Sequence, residues 1–463
     1  MKPLVLALLF LLVAVDVAAI EEPNYELVAE YGDAIEIRHY EPQVVAATVM
    51  SSGQNSGFRV LAGYIFGGNE REEKIAMTAP VSTSMGDGTT EMQFMMPSEY
   101  ERDQLPKPAD ERVVFKELPA YTAAVIRFSG RANGVMAKKY WAELQSFLAD
   151  SDWQMSGSPT LNQYNPPWTP GYFRRNEIIV PVLSKQETDA VNEQKLATAK
   201  DMLDAWNTLD WERVYQLFGE TGVLHNVMLE PTRGNAEIRT RFKAFEDGLT
   251  RMEFIVLNMG LLGDDVVIER LDSFEFNGRT GMVPVTGVLS IEEGQVKEWR
   301  EYYDRNWLLS EMGVIDAEPP HPLAPQDVSI DRNSMSDDER LAVAEAMLDA
   351  YRQLDWEAAA NLIADDGVIH YAEKDPMVGP EAMRKHTARI GALLTHVDFD
   401  VRNMGVVNGV VMIERFDEIE FNGHRGRVPV FGAMEIEDGK IKVWREYFDQ
   451  NQMMLAMGIS PKP

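Results

Sequence analysis

The second half of the chain contains the same domain twice. Residues 202–218 read MLDAWNTLDWERVYQLF, and residues 347–363 read MLDAYRQLDWEAAANLI, an offset of 145 positions. Because no insertion or deletion interrupts this offset, the copies indicate a tandem duplication of a domain of about 120 residues. The same offset relates three further pairs: Asp210 and Asp355, Arg270 and Arg415, and Glu301 and Glu446.

Each copy begins with helical patterns and ends with longer strand-like runs. In QVKEWREYYD, period-two alternation puts Val296 on one face and Trp299, Glu301 and Tyr303 on the other. Alternating strands that follow amphipathic helices are typical of a curved sheet folded over helices. The pattern therefore predicts a cone-shaped α+β domain in each copy.

An Arg-x-Asp motif interrupts an otherwise apolar strand in both copies. In VVIERLD, Ile268, Arg270 and Asp272 share one strand face, and in the second copy Arg415 and Asp417 take the matching positions. Since the charges continue an apolar face, we expect them to point into a pocket. A buried arginine requires a carboxylate partner, and the aspartate two residues along the same face can provide it.

A further carboxylate lies on the last strand of each copy, Glu301 in the first and Glu446 in the second. Flanking aromatic residues indicate that this face also lies inside the cone. An arrangement of carboxylate, arginine and carboxylate is suited to acid and base chemistry, because one carboxyl group can donate a proton while the other accepts one.

The part before the repeats is rich in short β-like runs such as AIEIRHY and YTAAVIRFSG. Between two of them, Met136, Tyr140, Leu144 and Phe147 recur at helical spacing, so this part is also predicted to be α+β. A polar stretch, SKQETDAVNEQ, then leads into the first helix of the repeats. The expected boundaries are 1–19 for a signal peptide, 20–184 for the first domain, 195–314 for the first repeat, 315–338 for a Pro- and Asp-rich linker and 339–460 for the second repeat.

The first residues, MKPLVLALLFLLVAVDVAA, combine a positive start, a short apolar run and small residues, which is typical of a cleaved secretory signal. The alternative is an uncleaved anchor, which Asp16 disfavours. The chain has no cysteine, which excludes disulfides and thiolate metal sites. We therefore expect a secreted, periplasmic protein. Its net charge of −30 opposes binding to nucleic acid and, after signal cleavage, to anionic membrane surfaces.

Four motifs in the first domain carry a family resemblance. They are IEIRHYEPQVVAAT near its start, KIAMTAPV at 74–81, LPKPADERV at 105–113 and YNPPWTPGYFRRNEIIVPV at 164–182. Together they resemble the SOUL haem-binding protein family across residues 24–183. The resemblance implies a distorted β-barrel with flanking helices and a haem or other porphyrin ligand, with no metal site of the protein's own.

Candidate haem contacts follow from this resemblance and from residue chemistry. His39 is either an axial ligand or a strand-surface residue, since the family commonly has arginine there. Met77 offers soft apolar surface, with core packing as the alternative. Arg174 and Arg175 are suited to haem propionates or, equally, to structural ion pairs.

The repeats resemble the nuclear transport factor 2-like (SnoaL-like) superfamily and, more narrowly, its limonene-epoxide hydrolase branch. The matching residues are ERLD with WREYYD in the first copy and ERFD with WREYFD in the second. The resemblance implies a cone-shaped α+β barrel with a deep apolar pocket. It also implies that Asp272 or Asp417 is the acid and that Glu301 or Glu446 activates water, where the family has aspartate.

The water site departs further from the family, which places a tyrosine and an asparagine two residues apart. The first copy has Leu224 and Asn226 at these positions, and the second has Ile369 and Tyr371. Asn226 therefore makes the first copy the better candidate for activity. A histidine lies between these positions in both copies, His225 and His370, and alternation turns it away from the pocket.

Three functions remain open for the repeats: binding of a small apolar ligand, hydrolysis of small apolar epoxides, and non-catalytic assembly. Cone domains of this type often pair through their sheets, so the two copies are also candidates for an internal pseudo-dimer.

Overall fold

The computed structural model describes residues 20–50, 54–85, 90–316, 330–332, 334–370 and 376–460, with side chains described from residue 57 onward in the second range. The predicted signal peptide, most of the predicted linker and Tyr371 lie outside these residues. The chain divides into two compact units, the first ending at Ala190 and the second beginning at Val191. Among the described helices, none combines the length and apolar composition needed to cross a membrane.

The first unit is a curled sheet with helices against it. Its strands are β1 (Tyr25–Tyr31), β2 (Ile35–Tyr40), β3 (Gln43–Val49), β4 (Val81–Ser84), β5 (Glu91–Met95), β6 (Val114–Leu118), β7 (Tyr121–Ser129), β8 (Trp153–Met155), β9 (Thr160–Gln163) and β10 (Arg175–Ser184). Its helices are α1 (Gln54–Ile65) and α2 (Gly134–Ala149), with 3-10 turns at Arg102–Gln104 and Gly171–Phe173. The strand order is β1-β2-β7-β10-β9-β4-β5-β3-β6, with β8 paired to β10.

Helix α2 has the position and the packed face that the sequence predicts. Asn133 caps it by accepting a hydrogen bond from the backbone N–H of Met136. Leu144 is fully buried, and Met136, Tyr140 and Phe147 pack against the same core on the sheet. The helical spacing of these four side chains therefore identified the buried stripe correctly.

Helix α3 (Lys185–Asn207) begins earlier than expected. The stretch 184–194, predicted as a polar lead-in, already forms its first turns. The reason is a capping box: the Glu187 carboxylate accepts hydrogen bonds from the Ser184 backbone N–H at 2.8 Å and hydroxyl at 2.7 Å, and Ser184 Oγ accepts from the Glu187 N–H. These reciprocal bonds fix the helix start ahead of its apolar residues.

The second unit contains two cones built from the same elements in the same order. The first cone has α3, α4 (Trp211–Phe218), β11 (Val223–Asn226), β12 (Thr232–Arg233), α5 (Asn235–Gly248), β13 (Leu249–Leu262), β14 (Asp265–Phe276), β15 (Arg279–Glu292), β16 (Gln295–Tyr302) and α6 (Arg305–Glu311). The second has α7 (Asp337–Arg352), α8 (Trp356–Asn361), β17 (Ile363–His370), β18 (Met377–Val378), α9 (Gly379–Ile390), β19 (Leu394–Val407), β20 (Val410–Phe421), β21 (His424–Glu437), β22 (Lys440–Tyr447) and α10 (Gln450–Ala456).

Each cone is a six-stranded sheet wrapped around helices. The orders are β12-β11-β16-β15-β14-β13 and β18-β17-β22-β21-β20-β19, and β11 and β17 run parallel to the last strands. The register of β13 shifts between Val256 and Asn258, and that of β19 shifts at the equivalent place, between Val401 and Asn403. Bulges at matching positions bend both sheets in the same way, which gives the concave face that the helices cover.

The convex faces of the two cones share a buried interface. Its apolar part joins Val267, Val288 and Tyr302 of the first cone to Met412 and Phe431 of the second. Ion pairs cross it twice at equivalent positions: Arg300 Nε lies 2.6 Å from Glu414 Oε1, and Arg445 Nε lies 2.5 Å from Glu269 Oε1. The two ion pairs are related by the offset of 145, as equivalent contacts are in an isologous dimer.

Candidate functional site

The first cone holds a cavity of about 340 Å³ between its sheet and its helices. This volume lies within the range of small-molecule sites. The lining is mostly aromatic and aliphatic, and the polar groups are few. The polar lining residues are Asn226, Arg241, Arg270, Asp272, Glu301, Tyr303 and Arg305.

Arg270 joins two carboxylates in the floor of this cavity. Its Nε and Nη2 lie 2.7 and 3.2 Å from the two oxygens of Asp272, on the same face of β14. Nη2 also lies 3.1 and 3.0 Å from the two oxygens of Glu301 on β16. The guanidinium is 4.5 Å from the Phe254 ring centroid, which fixes its plane. The structure thus brings together three residues that the strand alternation placed on inward faces.

Close backbone approach at Gly287 makes room for this group. A Cβ atom at position 287 would lie 2.7 Å from Arg270 Nη1 and 2.8 Å from Glu301 Oε1. Contacts this short displace a neighbour, so a side chain there is incompatible with the present geometry. Gly432 has the same relation to Arg415 and Glu446 in the second cone.

Burial sets the protonation of the two carboxyl groups. Desolvation raises the pKa of Asp272 above its ordinary value, although the charge of Arg270 acts in the opposite direction. Desolvation also raises the pKa of Glu301, to about 7, against the lowering effect of Arg270. One guanidinium cannot neutralise two carboxylates, so the buried group favours holding one shared proton.

Asn226 and Tyr303 form a second polar pair in the cavity. Asn226 Nδ2 donates a hydrogen bond to the Tyr303 hydroxyl, and burial raises the pKa of that hydroxyl to about 12. Asn226 Oδ1 is buried and has no hydrogen-bond partner among the residues that the structure describes. Sequence reasoning selected Asn226 but did not single out Tyr303, although its alternation with Trp299 and Glu301 was the available signal.

The second cone repeats the three charged residues. Arg415 Nε lies 2.7 Å from Asp417 Oδ1, and its Nη2 lies 2.7 Å from Glu446 Oε2. Burial raises the pKa of Asp417, and it raises that of Glu446 to about 6. Phe448 takes the position of Tyr303, so the second cone lacks that hydroxyl.

The two equivalent histidines, His225 and His370, lie in different environments. His225 Nδ1 lies 3.7 Å from Glu298 Oε1, and this contact is the main reason that the pKa of Glu298 is lowered to about 2. His225 is not among the residues that line the cavity. His370 is buried, and desolvation with the nearby charge of Arg445 lowers its pKa to about 4.

The candidate haem contacts of the first domain do not form one cluster. His39 pairs in register with Thr122 of β7, and its Nδ1 lies 3.1 Å from the Thr122 hydroxyl. Arg175 pairs with Ser129 at the other end of the same strand. Seven residues of β-strand span about 23 Å. His39 therefore lies far from the arginine that it was expected to accompany.

The two arginines are already engaged by the protein. Arg174 Nε donates to the carbonyl oxygen of Thr169 at 2.8 Å. Arg175 forms an ion pair with Glu22 and lies 3.5 Å over the Tyr164 ring. These contacts correspond to the structural role that the sequence offered as the alternative to binding haem propionates. Both side chains lie at the edge of a loop.

That loop, between β9 and β10, presents exposed aromatic side chains. Trp168, Tyr172 and Phe173 are 83%, 74% and 68% exposed, directly before Arg174. Met77 is 44% exposed, and its neighbour Thr78 pairs with Glu21, beside the Glu22 that holds Arg175. An exposed aromatic surface next to guanidinium groups fits a flat apolar ligand with carboxylates. The three aromatic residues lie within the motif YNPPWTPGYFRRNEIIVPV but were not among the residues predicted to contact haem.

A separate hollow in this unit, of about 630 Å³, has an acidic lining that includes Glu21, Glu22, Glu41, Glu101 and Asp103. These carboxylates repel an anionic ligand, so the aromatic loop is the better match for the propionates of a porphyrin.

Comparison with known proteins identifies a family for each part of the chain. The model of the SOUL heme-binding protein family matches residues 20–181, and that of the limonene-1,2-epoxide hydrolase catalytic domain matches residues 193–313 and 338–458. Heme-binding protein 2 of Mus musculus is 30% identical over 147 residues, which cover 28% of this chain and 71% of that protein.

Relatives of the repeats are also found. Epoxide hydrolase EphG of Mycobacterium tuberculosis is 27% identical over 115 residues, covering 24% of this chain and 75% of that protein. The structure of an LEH-like epoxide hydrolase of M. tuberculosis is 24% identical and covers 26% of this chain and 90% of that one, with a TM-score of 0.24. The chain therefore belongs to the SOUL heme-binding protein family in its first domain and to the limonene-1,2-epoxide hydrolase family, with its nuclear transport factor 2-like fold, in its two repeats.

Proposed function

We propose that the first cone hydrolyses small apolar epoxides to diols. One observation carries this proposal: Asp272, Arg270 and Glu301 meet in the floor of a cavity that is otherwise mostly apolar. Such a cavity accommodates an apolar substrate and confines two carboxyl groups with raised pKa values around it. This is the arrangement that acid and base catalysis at near-neutral pH requires.

The reaction needs one protonated and one ionised carboxyl group. Asp272 donates its proton to the epoxide oxygen as the ring C–O bond breaks, while Glu301 accepts a proton from the water that forms the new C–O bond. The product is a diol, and water supplies both added hydrogens and the added oxygen. The proton gained at Glu301 replaces the one lost at Asp272, so the proton count of the group is unchanged.

Asn226 and Tyr303 are our candidates for holding the attacking water. The unpartnered Oδ1 of Asn226 is a buried acceptor in the cavity wall, and β11 pairs with β16 so that Asn226 faces Glu301 in register. A buried acceptor without a partner is costly, and a water molecule that donates to it removes that cost. The family pattern has a tyrosine at the position of Leu224, and Tyr303 would provide the hydroxyl group in its place.

Diol formation from a panel of neutral epoxides tests this proposal. We expect Asp272→Asn and Glu301→Gln each to lower kcat by about 100- to 10,000-fold. Lys243→Gln, at an exposed position on α5, is the matched control and is expected to retain wild-type rates. Wild-type turnover by both carboxyl variants would refute the proposed chemistry.

We also propose that the first domain binds a haem or related tetrapyrrole on the aromatic loop. Trp168, Tyr172 and Phe173 provide the apolar contact, and Arg174, which the described residues engage through backbone carbonyl oxygens, provides a cation for a propionate. When bound, haem would supply the ligand-binding and redox chemistry of its iron.

The signal-like residues 1–19 support the proposal that the chain is exported. N-terminal sequencing of the protein from the periplasmic fraction would test this.

Absorbance titration of the leader-free protein with haem tests this second proposal. We expect a shifted Soret band that weakens in a Trp168→Ala/Tyr172→Ala variant. His39→Ala is expected to retain the wild-type spectrum, because His39 lies at the far end of β7. Loss of the band in His39→Ala, or an unchanged titration in the aromatic variant, would contradict the assignment.

A further inference from the structure

Two arginines in the cavity of the first cone are not used by the proposed chemistry. Arg241 on α5 and Arg305 at the start of α6 both line the cavity. Their positive charges act on the buried Tyr303 hydroxyl, lowering its pKa against the larger raising effect of burial. Both residues thus belong to the lining of the cavity that holds the Asn226–Tyr303 pair.

Neither guanidinium is paired with an acidic side chain in the described part of the chain. This contrasts with the other basic residues of α5, because Arg239 lies 2.7 Å from Glu212 and Lys243 lies 2.8 Å from Asp247. The chain as a whole carries a net charge of −30, so acidic partners are abundant. The two guanidinium groups that line the cavity are thus free to bind a ligand's carboxylate.

We propose that this cavity takes an epoxide whose apolar body ends in a carboxylate, bound by Arg241 and Arg305; this rests on the proposed function. Without these cations, no positive charge in the cavity would be available to an anionic ligand, since the charge of Arg270 is already balanced by the carboxyl groups of Asp272 and Glu301. A guanidinium group matches the geometry of a carboxylate and binds it through paired hydrogen bonds. The apolar lining then accommodates the chain between the carboxylate and the reacting ring.

The second cone provides an internal comparison. Its equivalents of Arg241 and Arg305 are His386 and Gln450, so the pair of fixed cations is absent from those positions. The preference for an anionic substrate therefore belongs to the first cone. The volume of about 340 Å³ corresponds to roughly eleven water-sized volumes, which suits an epoxide with about eight carbons.

Matched substrates separate this inference from the proposed function. We would measure diol formation from 7,8-epoxyoctanoate and from neutral 1,2-epoxyoctane, with wild type, Arg241→Gln/Arg305→Gln and the control Lys243→Gln. We expect the double variant to raise KM for the anionic epoxide at least tenfold and to leave kcat/KM for the neutral one nearly unchanged. Added salt should raise KM for the anionic epoxide alone.

Calorimetric binding of octanoate and octanol provides a readout that does not require turnover. Tighter binding of octanoate that is lost in the double variant supports the inference, even if neither epoxide is hydrolysed and the proposed function fails. If the neutral epoxide is hydrolysed but octanoate binds no better than octanol, the inference is overturned and the proposed function stands. If neither epoxide reacts and octanoate shows no preference, both are wrong.

Discussion

The proposed chemistry depends on three residues, because the buried carboxyl groups of Asp272 and Glu301 share the guanidinium of Arg270. Activity requires a group with one proton, so we expect a bell-shaped dependence of kcat/KM on pH. The rate should fall on the acid side as Glu301, whose pKa burial raises to about 7, becomes protonated and can no longer accept a proton. It should fall on the alkaline side as Asp272, whose pKa burial also raises, loses the proton that it must donate. A rate that is constant from pH 5 to pH 9 would contradict this account.

The same raised pKa makes a prediction for stability. The folded protein holds the Glu301 proton more tightly than the unfolded chain, whose pKa is near 4.5. The contribution of this group is therefore present below pH 4.5 and is lost as the pH rises through about 7. Urea unfolding should show stability falling over this window in wild type and changing less in Glu301→Gln. Equal pH slopes in the two proteins would rule out the raised pKa.

Gly287 offers a steric test of the same site. In Gly287→Ala the new Cβ would lie 2.7 Å from Arg270 Nη1, so the guanidinium must move. We expect a loss of about 1–3 kcal/mol in the free energy of unfolding, together with reduced diol formation. Gly63→Ala is the control, because its Cβ meets no atom within 4 Å. Full activity in Gly287→Ala would show that the position of Arg270 is not critical.

At the scale of elements, period-two alternation was the most informative pattern. It placed Arg270, Asp272 and Glu301 on inward strand faces, and the helical spacing of Leu144 and its neighbours identified the packed face of α2. These predictions succeeded because alternation and helical spacing are local properties of the chain.

Contacts that depend on the pairing of strands far apart in the sequence could not be predicted from the sequence. Asn226 meets Tyr303 because β11 runs parallel to β16, and nothing local specifies that register. The separation of His39 from Arg175 likewise follows from the pairing of β2 and β10 with opposite ends of β7. The early start of α3 is different, because the Ser184–Glu187 capping box that causes it is a local pattern and could have been predicted from the sequence.

At the scale of the molecule, the duplication produces a reciprocal interface between the cones. Glu414 is fully buried and accepts hydrogen bonds from Arg300 and from the Tyr302 hydroxyl of the other cone. We expect Glu414→Gln to lower the free energy of unfolding by about 3 kcal/mol, because it removes a fully buried carboxylate that pairs with the buried guanidinium of Arg300 across the interface. Glu420→Gln, in an exposed pair with Arg425, is the control and should leave the free energy of unfolding nearly unchanged. Similar effects of both substitutions would argue against a stabilising role for the interface.

The two cones also allow the central claim to be tested within one chain. Both contain the charged group, but the first cone alone pairs Asn226 with Tyr303, while the second has Phe448 at the tyrosine position. The decisive measurement is the rate of diol formation by Asp272→Asn and Asp417→Asn, side by side with wild type. We predict that Asp272→Asn abolishes turnover and that Asp417→Asn retains most of it. Retained turnover in Asp272→Asn, with loss in Asp417→Asn or in neither, would contradict an active site in the first cone.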